Sequence, residues 1–278
     1  MKWVIVLCLL VLPFPVKAAT DANPLDIRLI AETRSIRAGG TSFLGLHLRH
    51  PAGAHTYWKH PGIVGMATQV EWDLPAGFVA GPIQWPAPEG VKMAIYQAQG
   101  YTGETLLLIP LTAPKDLAAK TVTLTAKVSW MCCAETCHPA AKVPLAVTLP
   151  VADSADPDPA TQPLFAKFRT RVPKRDPAWQ TTVEREQNRI VLTLQPPGSN
   201  PPLPTVAGIR FFTGDGQVDS NQPQQIEILP DGKIRLRLTL SETAPPHPAT
   251  LPGVVVFGNG WPASSPQFQL EIDGPFSP

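Results

Sequence analysis

Thr121-Val-Thr-Leu-Thr-Ala-Lys-Val-Ser-Trp130 runs directly into Met131-Cys-Cys-Ala-Glu-Thr-Cys-His-Pro139. In the first half, Val122, Leu124, Ala126, Val128 and Trp130 alternate with Thr121, Thr123, Thr125, Lys127 and Ser129. Alternation with a period of two puts all the apolar groups on one face of a strand. A second strand is expected over Val143–Leu149. The cysteine cluster therefore lies where one strand ends and the next has yet to begin.

The rest of the chain carries the same pattern. Strands are expected at Leu25–Ala31, Thr41–Leu48, Thr68–Trp72 and Leu106–Leu111. Turn clusters separate them, among them Arg37-Ala-Gly-Gly40 and Leu74-Pro-Ala-Gly77. A second series is expected at 181–184, 189–194, 208–213, 225–229, 233–240, 253–257 and 267–272. Asp231-Gly232, between two apolar runs, signals a hairpin. Residues 165–172 are expected to be a short helix. Many short strands with this spacing predict an all-β protein of two immunoglobulin-like β-sandwiches in tandem. The expected organisation is a first sandwich over 20–149, a Pro/Asp/Ser/Ala-rich linker over 150–163 and a second sandwich over 164–278.

Composition agrees. The 278 residues are 44% hydrophobic, enough to bury a core, and 34 of them are proline, which disfavours helix interiors. The 23 basic and 22 acidic residues nearly cancel, so nothing attracts nucleic acid or an anionic membrane surface. The first 18 residues read as a secretory signal peptide: Lys2, an apolar run from Trp3, then small residues before a cleavage point after Ala18. That run is too short to span a bilayer, so the exported chain is expected to be soluble and periplasmic. Cys8 is part of the removed segment.

Cys132, Cys133 and Cys137 remain, an odd number packed into six residues. Stapled scaffolds spread an even number of cysteines along the chain, so a single tight cluster reads as a site. If Ala134-Glu-Thr136 forms a hairpin loop, Cys133 and Cys137 face each other across its base. Opposed strand residues have Cβ atoms about 4.5–5.5 Å apart, close to the roughly 3.5–4.5 Å of a disulfide. A bridge closing so short a loop removes little unfolded-chain entropy, which makes it a poor staple. It suits thiol–disulfide exchange, which needs an accessible sulfur and a second thiol nearby. His138 would favour a thiolate and Glu135 would oppose one, so charge leaves open which cysteine attacks. Cys132, one residue off, is expected to face the core as a small hydrophobe.

Two alternatives stay open. Cys132, Cys133, Cys137 and His138, with Met131, offer soft ligands for Cu(I), although the spacing lacks the paired CxxC of a closed metal site. The cysteines could instead be structural in a scaffold module. His47, His50, His55 and His60 have no interleaved carboxylate and read as surface or loop histidines. No phosphate loop, dinucleotide fingerprint or GxSxG occurs, so no cofactor is expected. The second half has no cysteine and reads as a structural or docking sandwich.

Trp130-x-x-Cys133-x-x-x-Cys137-x-Pro139 resembles the signature of the periplasmic N-terminal domain of DsbD/ScsB-type thiol:disulfide interchange proteins. His55-x-Tyr-Trp-x-x-Pro-Gly62, Ile83-Gln-Trp-Pro-Ala-Pro-Glu89 and Gly100-Tyr-Thr-Gly-Glu104 are similar to further segments of that family. More weakly, Arg210-Phe-Phe212 and Gly253-Val-Val-Val256 resemble the second sandwich of ScsB-like members. The resemblance implies a redox pair at Cys133 and Cys137 and thiol:disulfide oxidoreductase activity. It implies electrons taken from a membrane-embedded thiol reductase and passed to periplasmic thioredoxin-like proteins. It also implies aromatic shielding, with Tyr57, Trp58, Tyr96 and Tyr101 as candidates, and an association with copper tolerance. Since the sequence ends at Pro278, the electron donor is expected to be a separate protein.

Overall fold

The computed structural model describes residues 23–198, 206–258 and 268–277. The expected signal peptide and Cys8 lie outside these residues. Among the described residues, four antiparallel sheets pack as two sandwiches, so the all-β expectation holds.

In the first sandwich, one sheet joins β1 (Asp26–Ala31), β2 (Thr41–Arg49), β8 (Glu104–Thr112) and the short β5 (Val79–Ala80) in the order β1-β2-β8-β5. The facing sheet runs β10 (Cys137–Pro150), β9 (Thr121–Cys133), β3 (His55–Gly62), β7 (Tyr96–Thr102) and β6 (Glu89–Met93). β4 (Gln69–Asp73) also pairs with β9. The alternating apolar positions of β9, from Val122 to Trp130, face the core between the sheets and pack with Leu44, Leu46 and Leu48 of β2. In β8, Leu107 and Ile109 join that core, whereas Leu106 and Leu108 point the other way. The outer pair is covered by α1 (Gln162–Arg169), whose Phe165 and Phe168 are fully buried on them. Burying each ring stabilises by about 1.5–3 kcal/mol. A Cβ at Gly45 of β2 would collide with Leu106 Cδ1 at 2.5 Å and press on the Phe165 ring at 3.0 Å.

The second sandwich has one sheet of β11 (Gln180–Glu186), β12 (Arg189–Gln195), β15 (Ile234–Thr239) and β14 (Gln225–Ile228), in that order. Its partner sheet is β13 (Ile209–Thr213), β16 (Thr250–Phe257) and β17 (Phe268–Pro275). These strands enclose a separate core that includes Leu192, Leu236 and Val255. Phe212, Val254 and Val256 face the other way and join the core of the first sandwich.

Two differences from expectation matter here. Residues 150–163 were expected to form a linker, but the start of this segment is pinned to the first sandwich. Ile36 N–H donates to Pro150 O (2.9 Å), Ala152 N–H to Ile36 O (3.0 Å) and Arg34 N–H to Asp156 O (2.9 Å). A chain that satisfies neighbouring backbone groups in this way is held as a strap. The second difference is that β3, β6 and β7 were not anticipated. β3 is buried on both faces at His55, Thr56, Tyr57 and Trp58, so its sequence shows no alternation. In β7 the polar Gln99 is only 2% exposed, because the second sandwich covers it. Gln99 Oε1 accepts from Thr213 N–H (2.9 Å), and its Nε2 donates to Thr213 O (3.0 Å) and His60 O (2.7 Å). The side-chain amide takes the place of a neighbouring strand at the free edge of β13.

Candidate redox site

β9 and β10 form a hairpin in which Cys133 pairs with Cys137 and Cys132 with His138. Ala134 N–H donates to Thr136 O (2.9 Å) and closes the three-residue loop. Cys133 and Cys137 are joined by a disulfide, S–S 2.03 Å, with Cα atoms 4.1 Å apart. The two halves of the bond have different surroundings. Cys137 is exposed, whereas Cys133 is fully buried.

The burial of Cys133 comes from β3, β6 and β7. Cys133 pairs with His55 on β3, the strand on the other side of β9 from β10. Paired residues share a face, and so does the residue two further along. His55 and Tyr57 therefore both stand beside Cys133. The Tyr57 hydroxyl donates to Cys133 Sγ at 3.2 Å, and His55 Nε2 lies 3.3 Å from the same hydroxyl. The two rings meet edge to face, 5.1 Å between centroids. Val91 of β6 and Ala98 of β7 complete a small buried cluster, with Val64, Met93 and Met131 packed on it. Burial pushes the His55 imidazole below its usual range, and the neighbouring His50 pushes it the same way. Burial raises the Tyr57 phenol, and the electrostatic influence of Cys132 adds to that.

Cys132 is a free thiol on the opposite face of β9, fully buried in the main core as its position predicts. Burial raises its pKa, which keeps it an unreactive thiol. The Cu(I) set of Cys132, Cys133, Cys137 and His138 thus divides between two faces of the hairpin. Cys133 and Cys137 are bonded to each other, and His138 Nε2 is paired with Thr136 Oγ1 at 2.9 Å. These residues do not converge on a common point.

The four histidines also separate. His47 lies beside Glu104 (3.1 Å), which also pairs with Lys167. His50 is held by Gly103 O and Thr56 Oγ1, both at 2.8 Å. His60 Nδ1 accepts from Gly62 N–H (3.2 Å) near the second sandwich. Of the four, His55 is the one placed at the disulfide, and at 3% exposure it is no surface histidine. The expectation for it is corrected. The His-x-Tyr spacing was the available signal, but it places both side chains on one face only if the segment is a strand. Of the four aromatic candidates, Tyr57 touches the pair. Trp58 points into the main core, the Tyr101 hydroxyl donates to Pro86 O (2.7 Å), and Tyr96 is 38% exposed at the start of β7.

The family profile "Thiol:disulfide interchange protein DsbD, N-terminal" matches residues 26–148, which contain the whole site. Residues 26–148 are a DsbD-type N-terminal domain. The crystal structure of the N-terminal periplasmic domain of ScsB from Proteus mirabilis is similar over both sandwiches. It shares 16% identity, covers 94% of this chain and 97% of its own, and has a TM-score of 0.59. At that identity it speaks for the fold alone. A putative membrane anchored protein from Corynebacterium diphtheriae (11% identity, 91% of this chain and 53% of its own, TM-score 0.21) is too distant in shape to carry an argument. The same holds for the sporulation control protein Spo0M from Bacillus subtilis (8% identity, 91% of each chain, TM-score 0.23). No curated protein sequence matches the chain. The match therefore places the first sandwich in a thiol:disulfide interchange family.

Proposed function

We propose that this protein is a periplasmic thiol–disulfide exchange protein whose working pair is Cys133 and Cys137. In this reading it takes electrons from a membrane-embedded thiol reductase and passes them to periplasmic thioredoxin-like proteins. Residues 1–18 direct export, the first sandwich carries the chemistry and the second supports it. The observation that carries the reading is the asymmetric disulfide: one sulfur-bearing residue exposed, the other buried, across a three-residue loop.

In this reading the two sulfurs take different roles. A reductase thiolate attacks Cys137 Sγ, the half of the bond in reach of another protein. The S–S bond breaks and its electron pair leaves on Cys133 Sγ, while Cys137 becomes joined to the reductase in a mixed disulfide. The second thiolate of the reductase attacks its own bridged sulfur and releases Cys137 as a thiolate. Two electrons have then moved to this pair, and protons from water complete the two thiols. The same steps in reverse, with Cys137 attacking an acceptor disulfide and Cys133 resolving, pass the electrons on.

Equilibration against glutathione and dithiothreitol buffers tests this reading. A working pair has a midpoint above about −300 mV, the region of structural disulfides. A bridge that stays oxidised well below that value overturns the proposal.

A further inference from the structure

We propose that His55 is a positioning residue for the exchange chemistry, holding the Tyr57 hydroxyl as a fixed hydrogen-bond donor to Cys133 Sγ. The inference rests on the exchange reading above and names what supports the buried half of the bond.

A tyrosine hydroxyl carries one donor and two acceptor positions and is otherwise free to rotate. Tyr57 has two partners within reach, Cys133 Sγ at 3.2 Å and His55 Nε2 at 3.3 Å. Its single hydrogen can serve only one of them. With the proton of a neutral His55 on Nε2, the imidazole donates to the hydroxyl oxygen, and the hydroxyl hydrogen is left for the sulfur. All three groups are buried while the disulfide is closed, so solvent does not compete to turn the hydroxyl away in that state. Burial keeps the imidazole neutral at neutral pH.

The reaction gives this arrangement a use. When a partner thiolate attacks Cys137 Sγ, the departing electron pair makes a thiolate at Cys133. Its packing partners Val64, Val91, Met93, Ala98 and Met131 are apolar. An anion formed in such surroundings is costly unless a hydrogen bond meets it. A donor already aimed at the sulfur strengthens as the negative charge develops there, because hydrogen bonds to charged acceptors are about twice as strong as neutral ones. Stabilisation that grows along the reaction lowers its barrier. Water then protonates Cys133, and Tyr57 and His55 keep their own protons.

Cys132 of β9 acts on Tyr57, His50 of the loop after β2 acts on His55, and Glu89 of β6 acts on His50. Tyr101 of β7 is buried with its hydroxyl on Pro86.

The test follows reduction of the disulfide by dithiothreitol at neutral pH in the full chain and in Tyr57→Phe, His55→Leu and His55→Gln. Thiolate ultraviolet absorbance against pH is measured in parallel, with Cys132 and Cys137 both changed to Ala so that Cys133 alone is read. Tyr57→Phe is expected to slow reduction about tenfold or more, the scale of a lost hydrogen bond to a charge, and to raise the Cys133 thiol pKa. His55→Leu is expected to slow it several-fold with a pKa shift in the same direction. His55→Gln keeps an N–H donor and is expected to restore both readouts to within about twofold of the unsubstituted protein. Equal slowing by Leu and Gln, or unchanged rate and pKa in Tyr57→Phe, overturns the positioning role. A shifted Cys133 pKa in a chain that exchanges with no thioredoxin-like protein would leave the hydrogen-bond relay standing and remove the exchange reading instead.

Discussion

Cys132 and Cys133 are the same residue in consecutive positions of one strand, and they have opposite chemistry. The side chain of Cys132 enters the main core on the face that Trp130 also occupies, and it is fully buried, with no route for an attacking sulfur. The side chain of Cys133, one step along, enters a small cluster at the end of the sheet, bonded to an exposed neighbour and met by a tyrosine hydroxyl. The alternation of a strand makes this difference. A thiol becomes useful or inert according to which face it occupies, and the pleat assigns the face before any charge or hydrogen bond acts.

Substitution of either cysteine tests that contrast. The largest effect is expected from Cys137→Ser, which removes the reachable sulfur and should abolish exchange with any dithiol protein in an insulin- or thioredoxin-coupled assay. Cys132→Ala should leave that activity near the unsubstituted level and lower stability by only about 1 kcal/mol in a urea titration. Loss of exchange in Cys132→Ala would make the third thiol part of the chemistry. Phe165→Ala sets the scale of pure packing. It empties the space between α1 and β8 and should cost about 3–5 kcal/mol of unfolding free energy while leaving the reduction midpoint unchanged.

A smaller effect concerns the seam between the sandwiches. Gln99→Ala strips two partners from Thr213 and should cost about 1–3 kcal/mol, read as a lower urea midpoint. The smallest is a pH effect. Burial depresses the imidazoles of His50, His55 and His60 below 6.5 in the folded state. Between the folded and unfolded pKa values the unfolded chain binds more protons, so stability rises with pH. The contribution is fully present above about pH 6.5 and is lost as the pH falls through the folded values. The urea midpoint should therefore drop between pH 7 and pH 5, and His55→Gln should flatten part of that slope.

How far the sequence could be read depended on where each contact came from. The β9–β10 hairpin was legible because its partners are adjacent in the chain and Val122 to Trp130 alternate without interruption. The helix over Phe165 was legible from its own short apolar run. His55 was not, since its cross-strand partner is Cys133, brought to the neighbouring strand from far along the chain. Gln99 looks like a surface residue and is buried because Thr213 arrives from the other sandwich. Pro150 to Asp158 has a linker's composition, yet its backbone finds partners at Arg34 and Ile36. Composition reports local preference and says nothing about a distant strand that supplies the missing hydrogen bonds.

The most direct test is a trapping experiment in the oxidising compartment. With Cys133→Ser, Cys137 has no partner to resolve a mixed disulfide, so a covalent complex with a thioredoxin-like protein should accumulate, dissolve on adding dithiothreitol, and be missing from Cys137→Ser. If neither variant forms such a complex when presented with an oxidised thioredoxin-like protein, these two sulfurs do not trade bonds with another chain, and the account is wrong.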